Sequence, residues 1–346
     1  MASKVTIEGG RFLINGTPTY PGRSWKGHRI EGLLFNSRMA NAIADDENPT
    51  TRGAWSYADG PWDAERSTNE FVAALPSYRA HGLLAVCLNL SGGSPQGYSW
   101  HPPWRICGFT ADGSIKPAWA ARLERVIKAC DQLGMVVILG LFYGKQSSTF
   151  RDEAAVKAAV TNTVDWLLAR NAQNVLIEIG NEVDLENVWA HPIIAAGRCH
   201  ELVLLAKERS RGQLLVSTSL IGLDAPPSAT VAACDYLLPH GNRVHGPDGP
   251  LQAAPHGIRL QVARWRASKA YRGQPIVYNE DDHFEFDKPD NHFVAAVESG
   301  ASWGFFDYRK SRERFEDGFQ SLPVDWTISS ARKKSFFGLL KEITGA

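Results

Sequence analysis

The chain has no excess charge of either sign: 37 Lys and Arg are balanced by 37 Asp and Glu over 346 residues. It therefore lacks the electrostatic footprint expected of a partner for nucleic acid or an anionic membrane surface. No apolar run approaches the ~20 residues of a membrane span. Cysteine is scarce and scattered, at Cys87, Cys107, Cys130, Cys199 and Cys234. The odd number and the absence of any Cys-x-x-Cys pair exclude a zinc ribbon and argue against a disulfide framework. Cys87 and Cys130 fall at apolar-periodic positions and read as small core residues. Residues 1–11 contain no signal-peptide h-region, so the expectation is a cytoplasmic protein, or a secreted one whose signal has been removed. No charge run, low-complexity tract, Ser/Gly linker or repeat divides the chain, and 1–346 reads as one domain. A content of 44% hydrophobic and 21% charged residues suits a globular core.

What is present is an alternation. Short apolar runs cover 30–36, 83–90, 135–143, 175–182, 214–220, 236–242, 276–280 and 303–309. Several are apolar almost throughout, as strands buried on both faces should be. Helical patterns lie between them. In 116–133 the residues Trp119, Leu123, Val126, Ile127, Cys130 and Leu133 share one face, and Gly134 stops the helix. Helices are also expected at 152–170, 257–271 and 330–343, with a short one within 222–233. The stretch 69–81 is helical except for Pro76, which should kink or split it. Ahead of the runs, 5–8 and 11–14 flank Gly9-Gly10, a hairpin signal.

Eight strands alternating with helices predict the α/β class and a single (β/α)8 TIM barrel. An open doubly wound sheet would be expected to carry a Gly-rich loop after its first strand, where this chain has Asn36-Ser37-Arg38-Met39. In a barrel the active residues stand at the C-terminal ends of the strands. Glu182 closes strand four and Glu280 closes strand seven, nearly opposite each other in the ring. Facing carboxylates are what glycoside hydrolysis uses, one protonated and one ionised. Asn36, Arg38, Asn89, Tyr143 and Asp307, at other strand ends, are expected to line a substrate cleft. Trp100, in the aromatic-rich second loop (91–116), is expected to join them. Glu178, on the same pleat face as Glu182, reads as an interior carboxylate bonded to a neighbouring strand.

Residues 174–184, NVLIEIGNEVD, resemble the fourth-strand motif of clan A retaining glycoside hydrolases, closest to the family 5, cellulase-like pattern. Residues 275–283, PIVYNEDDH, resemble the seventh-strand motif with its terminal Glu. The opening FLINGTP (12–18) is similar to the hairpin that covers the barrel bottom in many clan members. The resemblance implies a retaining β-glycosidase, with Glu182 as acid/base and Glu280 as nucleophile. It further implies that Asn181 binds the sugar hydroxyl beside the anomeric carbon and that His240 supports the nucleophile. Val183 departs from the usual Pro, and Trp303 begins strand eight where the clan places a sugar-stacking Trp near the end.

The expected partner is a carbohydrate, an oligosaccharide or glycoside, with no nucleic acid, no membrane, no cofactor and no metal. Two other classes stay open at this point: a catalytically silent carbohydrate-binding barrel, and a metal-dependent barrel hydrolase or isomerase using His240, His245, Asp282 or His283. Barrels host many chemistries, so the fold alone does not choose.

Overall fold

In the computed structural model the apolar runs form parallel strands, because each is buried on both faces and must place its backbone polar groups in ladders. The structure describes residues 3–92, 104–222, 226–242, 255–307, 318–319 and 324–346. The chain begins with β1 (Val5–Glu8), β2 (Arg11–Ile14), β3 (Thr17–Pro18), β4 (Ser24–Trp25) and β5 (His28–Arg29). Six later strands pair in parallel: β6 (Asn36–Arg38), β7 (Ala85–Asn89), β8 (Val136–Tyr143), β9 (Val175–Asn181), β10 (Leu215–Ser217) and β13 (Gly304–Phe305), with β13 beside β6 and β10 at the far side. Between them, β11 (Ser219–Leu220) pairs with β12 (Leu238–Pro239).

Single parallel bridges complete the circuit. Leu237 pairs with Ile276, Val277 with Ser302, and Asp281 with Phe305. β10 and β11 are two parts of the fifth barrel strand, interrupted at Thr218. There the Thr218 hydroxyl substitutes for the ladder, accepting from Gly180 N at 3.2 Å and donating to Gly180 O at 2.9 Å. Eight consecutive parallel strands thus close on themselves, and the expected barrel is present.

Helices surround the ring: α1 (Ala64–Ala80), α2 (Pro117–Gln132), α3 (Glu153–Ala169), α4 (Cys199–Ser210), α5 (Ser228–Ala233), α6 (Pro255–Arg266), α7 (His292–Glu298) and α8 (Ala331–Thr344). Asp63, Asp152, Asn291 and Ser330 cap α1, α3, α7 and α8 through their side chains. One expectation is corrected here. Pro76 neither splits nor ends α1, which runs unbroken through it and starts five residues before 69. Phe71, Leu75 and Tyr78 are wholly buried on one face. Phe71 packs on Trp326 at 4.9 Å and Tyr78 on Phe337 at 5.3 Å. This packing on both sides of Pro76 outweighs the hydrogen bond that the proline cannot make.

The hairpin turns through Gly9 and Gly10, both at positive φ, as a two-residue connection requires. Its Val5 and Phe12 join Leu34, Leu84, Val136, Ile138, Leu176, Tyr236 and Val277 in one apolar cluster. These residues lie toward the N-terminal ends of the strands, so the hairpin plugs the barrel bottom. Toward the C-terminal ends the interior turns polar, with Asn36, Arg38, Asn89, Glu178, Asn279 and Glu280 all buried. All five cysteines are free and buried, and Cys87 and Cys130 are core residues as expected. Among the described residues no helix is long and apolar enough to cross a membrane.

Candidate active site

Strand four ends on Asn181, and the next residue, Glu182, turns into the left-handed region at φ 55°. A non-glycine residue there is uncommon and holds only where its surroundings fix it. Ser219 of strand five supplies that restraint. Its hydroxyl accepts from Glu182 N at 3.0 Å, and its carbonyl accepts from Val183 N at 3.1 Å. The turn aims the Glu182 carboxyl across the mouth.

Glu280 comes from strand seven. A carboxylate oxygen of Glu182, one of Glu280 and an imidazole nitrogen of His240 all lie within 4.8 Å of one another. The two carboxyl groups differ in their partners. Glu280 receives Arg38 Nε at 2.8 Å and Asn242 Nδ2 at 2.9 Å. Glu182 Oε1 lies 2.8 Å from His240 Nδ1, while His240 stands 3.8 Å from Glu280. Glu280 is almost wholly buried, and Glu182 is the more open of the two. Burial pushes the Glu280 carboxyl above the ordinary value. His240, Arg38 and Asn242 oppose that rise, and the charge of Glu182 adds to it. Burial would lower His240, but the two carboxylates outweigh it and hold its pKa above the ordinary 6.5.

Arg38 organises the floor of this site. It is wholly buried, with Glu280 on one side, Glu178 Oε2 at 3.5 Å, and Asn181 Oδ1 hydrogen-bonded to Nη2. Glu178 also accepts from Asn279 Nδ2 at 3.1 Å, so it is an interior carboxylate bonded to other strands, as expected. Gly140 leaves the space below: a Cβ there would lie 2.5 Å from Asn89 Oδ1.

Several expected cleft residues are engaged within the protein. Arg38 holds Glu280 and Asn181. Asn36 is also wholly buried, and its amide donates to Tyr278 O at 2.9 Å while Cys87 Sγ lies 3.2 Å from its oxygen. β6 starts at Asn36 and ends at Arg38, later than the 30–36 run implied, and this places Asn36 deep in the ring. Asn89 is buried beneath the mouth. Asp307 is buried too and accepts from Arg332 Nε at 2.6 Å, tying strand eight to α8. His240 is bonded to Glu182 rather than to the nucleophile candidate Glu280. Asn181 stands at the strand end with its Oδ1 engaged by Arg38, and Tyr143 is half-buried at the end of strand three beside Gly92. Trp100 and His245 lie outside the described residues.

Trp55, Trp62 and Trp104 build a small buried cluster at ring separations of 5.2 and 6.5 Å. They are packing residues of the first two loops. Trp303 is buried as well, stacked on Phe293 at 5.0 Å with its Nε1 donating to Asp281. Two residues absent from the expected set secure the glutamates: Asn242 on the Glu280 carboxylate and Ser219 on the Glu182 backbone. Both lie near the C-terminal ends of barrel strands, and that position was the available signal.

Among the described residues two groups have the donor types of a metal site: Glu182, His240 and Glu280, and Asp281, His283 and His292. In the second, the His283 and His292 Nδ1 atoms lie 2.7 and 2.8 Å from Asp281 oxygens. Those are hydrogen-bond lengths. Two ligands about 2.0–2.1 Å from one tetrahedral ion stand roughly 3.3 Å apart. In the first group Arg38 already brings positive charge to Glu280 and opposes a cation.

No protein-family model and no curated protein sequence matches the chain. Solved structures do. A β-1,4-D-mannanase from Cryptopygus antarcticus superposes with a TM-score of 0.60 at 11% identity, covering 100% of this chain and 95% of that one. A broad-specificity endoglucanase of glycoside hydrolase family 5 from Bacteroides salanitronis gives 0.58 at 11%, covering 90% and 93%. A family 5 xyloglucan-specific endo-β-1,4-glucanase from a metagenomic library, solved with cellotriose, gives 0.56 at 12%, covering 88% and 96%. The chain therefore shares, over nearly its whole described length, the barrel fold on which family 5 glycoside hydrolases are built.

Proposed function

We propose that the protein is a retaining glycoside hydrolase, one catalytic domain that cleaves a β-glycosidic bond by double displacement. The observation that carries this reading is the pair Glu182 and Glu280, with oxygens within 4.8 Å across the barrel mouth. That spacing suits retention, in which the carboxyl groups stand about 5–5.5 Å apart. Inversion needs about 6.5–9.5 Å to admit a water.

The unequal partners support a division of roles. Arg38 stabilises a full negative charge on Glu280, so Glu280 is the nucleophile. Glu182 borders a protonatable imidazole and is the acid/base. A Glu280 oxygen attacks the anomeric carbon as the glycosidic C–O bond breaks, and Glu182 gives its proton to the departing oxygen. A water then attacks the same carbon, Glu182 takes its proton, and the ester to Glu280 breaks. With its Oδ1 held by Arg38, Asn181 keeps its Nδ2 as the donor for the sugar. The substrate class proposed is a β-1,4-linked glycan, supported by the glucanases and the mannanase whose fold the chain shares.

The test is hydrolysis of β-1,4-gluco- and manno-oligosaccharides and aryl β-glycosides, with the first-formed anomer read by NMR and EDTA present in a parallel set. Retention unaffected by EDTA is the expected result. Inversion, or activity lost in EDTA and restored by a divalent ion, contradicts the mechanism. Binding of these sugars with no turnover leaves the silent carbohydrate-binding barrel.

A further inference from the structure

Asp281 follows Glu280 on strand seven, is wholly buried, and takes no part in the steps above. Successive strand residues point to opposite faces. Glu280 faces the barrel interior, and Asp281 faces the layer between the ring and α7. A buried carboxylate is costly unless it is paired and hydrogen-bonded. Here four donors converge on it. Oδ1 lies 2.7 Å from His283 Nδ1 and 3.2 Å from His283 N, and Oδ2 lies 2.8 Å from His292 Nδ1 and 3.0 Å from Trp303 Nε1. The two imidazoles stack with ring centres 3.8 Å apart. Burial alone would raise the Asp281 carboxyl; His292 and His283 reverse this and hold it far below the ordinary carboxylate range.

The backbone is fastened at the same point. Gly241 N donates to Glu280 O at 2.8 Å, and Phe306 N donates to Asp281 O at 3.0 Å. Strand six can come this close only because residue 241 is glycine: a Cβ there would lie 2.1 Å from Asp281 Oδ2. The strand is thus tied to both neighbours and to α7 within one residue of Glu280.

We propose that Asp281 is a positioning residue for Glu280: the anchor of His283, His292 and Trp303 on its carboxylate fixes where strand seven delivers the Glu280 carboxylate between Arg38 and Asn242. The proposal rests on Glu280 being the nucleophile. The groups that set the charge state of Glu280 are Arg38 from strand one, Glu182 from strand four, and His240 and Asn242 from strand six. Loosening strand seven lengthens the 2.8 Å Arg38 contact on Glu280 and so weakens the guanidinium's hold on that charge.

The experiment compares wild type, Asp281→Asn, Trp303→Phe and, as a control at the barrel bottom, Phe12→Leu. Asp281→Asn keeps the shape but cannot accept hydrogen bonds at both ends. Its kcat should fall about 10–100-fold with KM little changed, as for a reacting group displaced by a fraction of an ångström. The acid limb of kcat/KM should move to higher pH as Arg38 loses hold of Glu280. Trp303→Phe removes one N–H and should move both in the same direction by less, and it decides the matter if Asp281→Asn does not fold. Phe12→Leu should lower Tm without moving the limb. A ¹³C NMR titration of the Glu280 carboxyl reads the same shift without turnover, so it holds even if the wild type hydrolyses no glycoside and the functional reading fails. An unmoved limb and an unmoved Glu280 titration in both strand variants, whatever the loss of Tm, would reduce Asp281 to a purely structural residue.

Discussion

At the scale of residues the site is an unequal pair of carboxyls whose difference lies in their partners. Glu280 has a guanidinium; Glu182 has an imidazole. Glu182→Ala should lose roughly 10²–10⁴ in rate on substrates with poor leaving groups, far less with activated aryl leaving groups, and azide should restore turnover as a β-glycosyl azide. Azide rescue of Glu280→Ala with an inverted product would exchange the roles. The pH profile follows from the same contacts. Glu280 must be ionised, and burial raises its pKa, so activity should climb only above the ordinary Glu range. The alkaline limb should reflect loss of the proton that Glu182 must donate, with His240 beside it held above its ordinary value by the two carboxylates. A bell whose alkaline limb disappears in Glu182→Gln is the expected result, and a wild-type profile with no descending alkaline limb would contradict it. The two glutamates were legible in the sequence because a carboxylate directly after an apolar run ends a barrel strand. The buried contacts of Arg38 and Asn36 were not. β6 runs to Arg38, beyond the apolar stretch, because Arg38 is neutralised inside the ring by Glu280 and Glu178, residues some 140 or more positions away.

At the scale of elements, strong periodicity was readable and weak pairing was not. The 116–133 face became α2, and Asp152 became the cap of α3. Strand five gave no sign of its interruption at Thr218, whose hydroxyl takes over ladder bonds only once Gly180 is beside it. Pro76 shows tertiary packing overriding local preference. Its buried flank holds α1 together, so the proline remains a local cost. Pro76→Ala should raise stability, by up to about 3 kcal/mol, in chemical denaturation; a loss would mean that the proline is required by the packing. The clamp around Asp281 has its own pH signature. The folded His283 pKa is raised because Asp281 outweighs burial. Its stabilising contribution is therefore complete below the unfolded value near 6.5 and fades as pH rises through the folded value. Tm should fall across that window in the wild type and less so in His283→Gln, and parallel curves would remove the clamp from the account.

At the scale of the whole molecule, the barrel is apolar at its plugged base and polar at the C-terminal rim of its strands. The base secures the ring, and the rim spends buried charge on geometry. Phe12, wholly buried in the base, should cost about 3–5 kcal/mol when changed to Ala, with the kcat of the remaining folded enzyme unaltered. The alternation of eight runs and helices made this architecture visible from sequence, and the two Glu-ended motifs marked its working face. The direct test of the central claim is to capture the covalent intermediate. Wild type is incubated with activated 2-deoxy-2-fluoro-β-glucosides and mannosides, digested, and mapped by mass spectrometry. The account predicts one fluoroglycosyl adduct, carried by Glu280 and absent from Glu280→Gln. An adduct on Glu182, or none from a sugar whose parent glycoside is turned over, would contradict it.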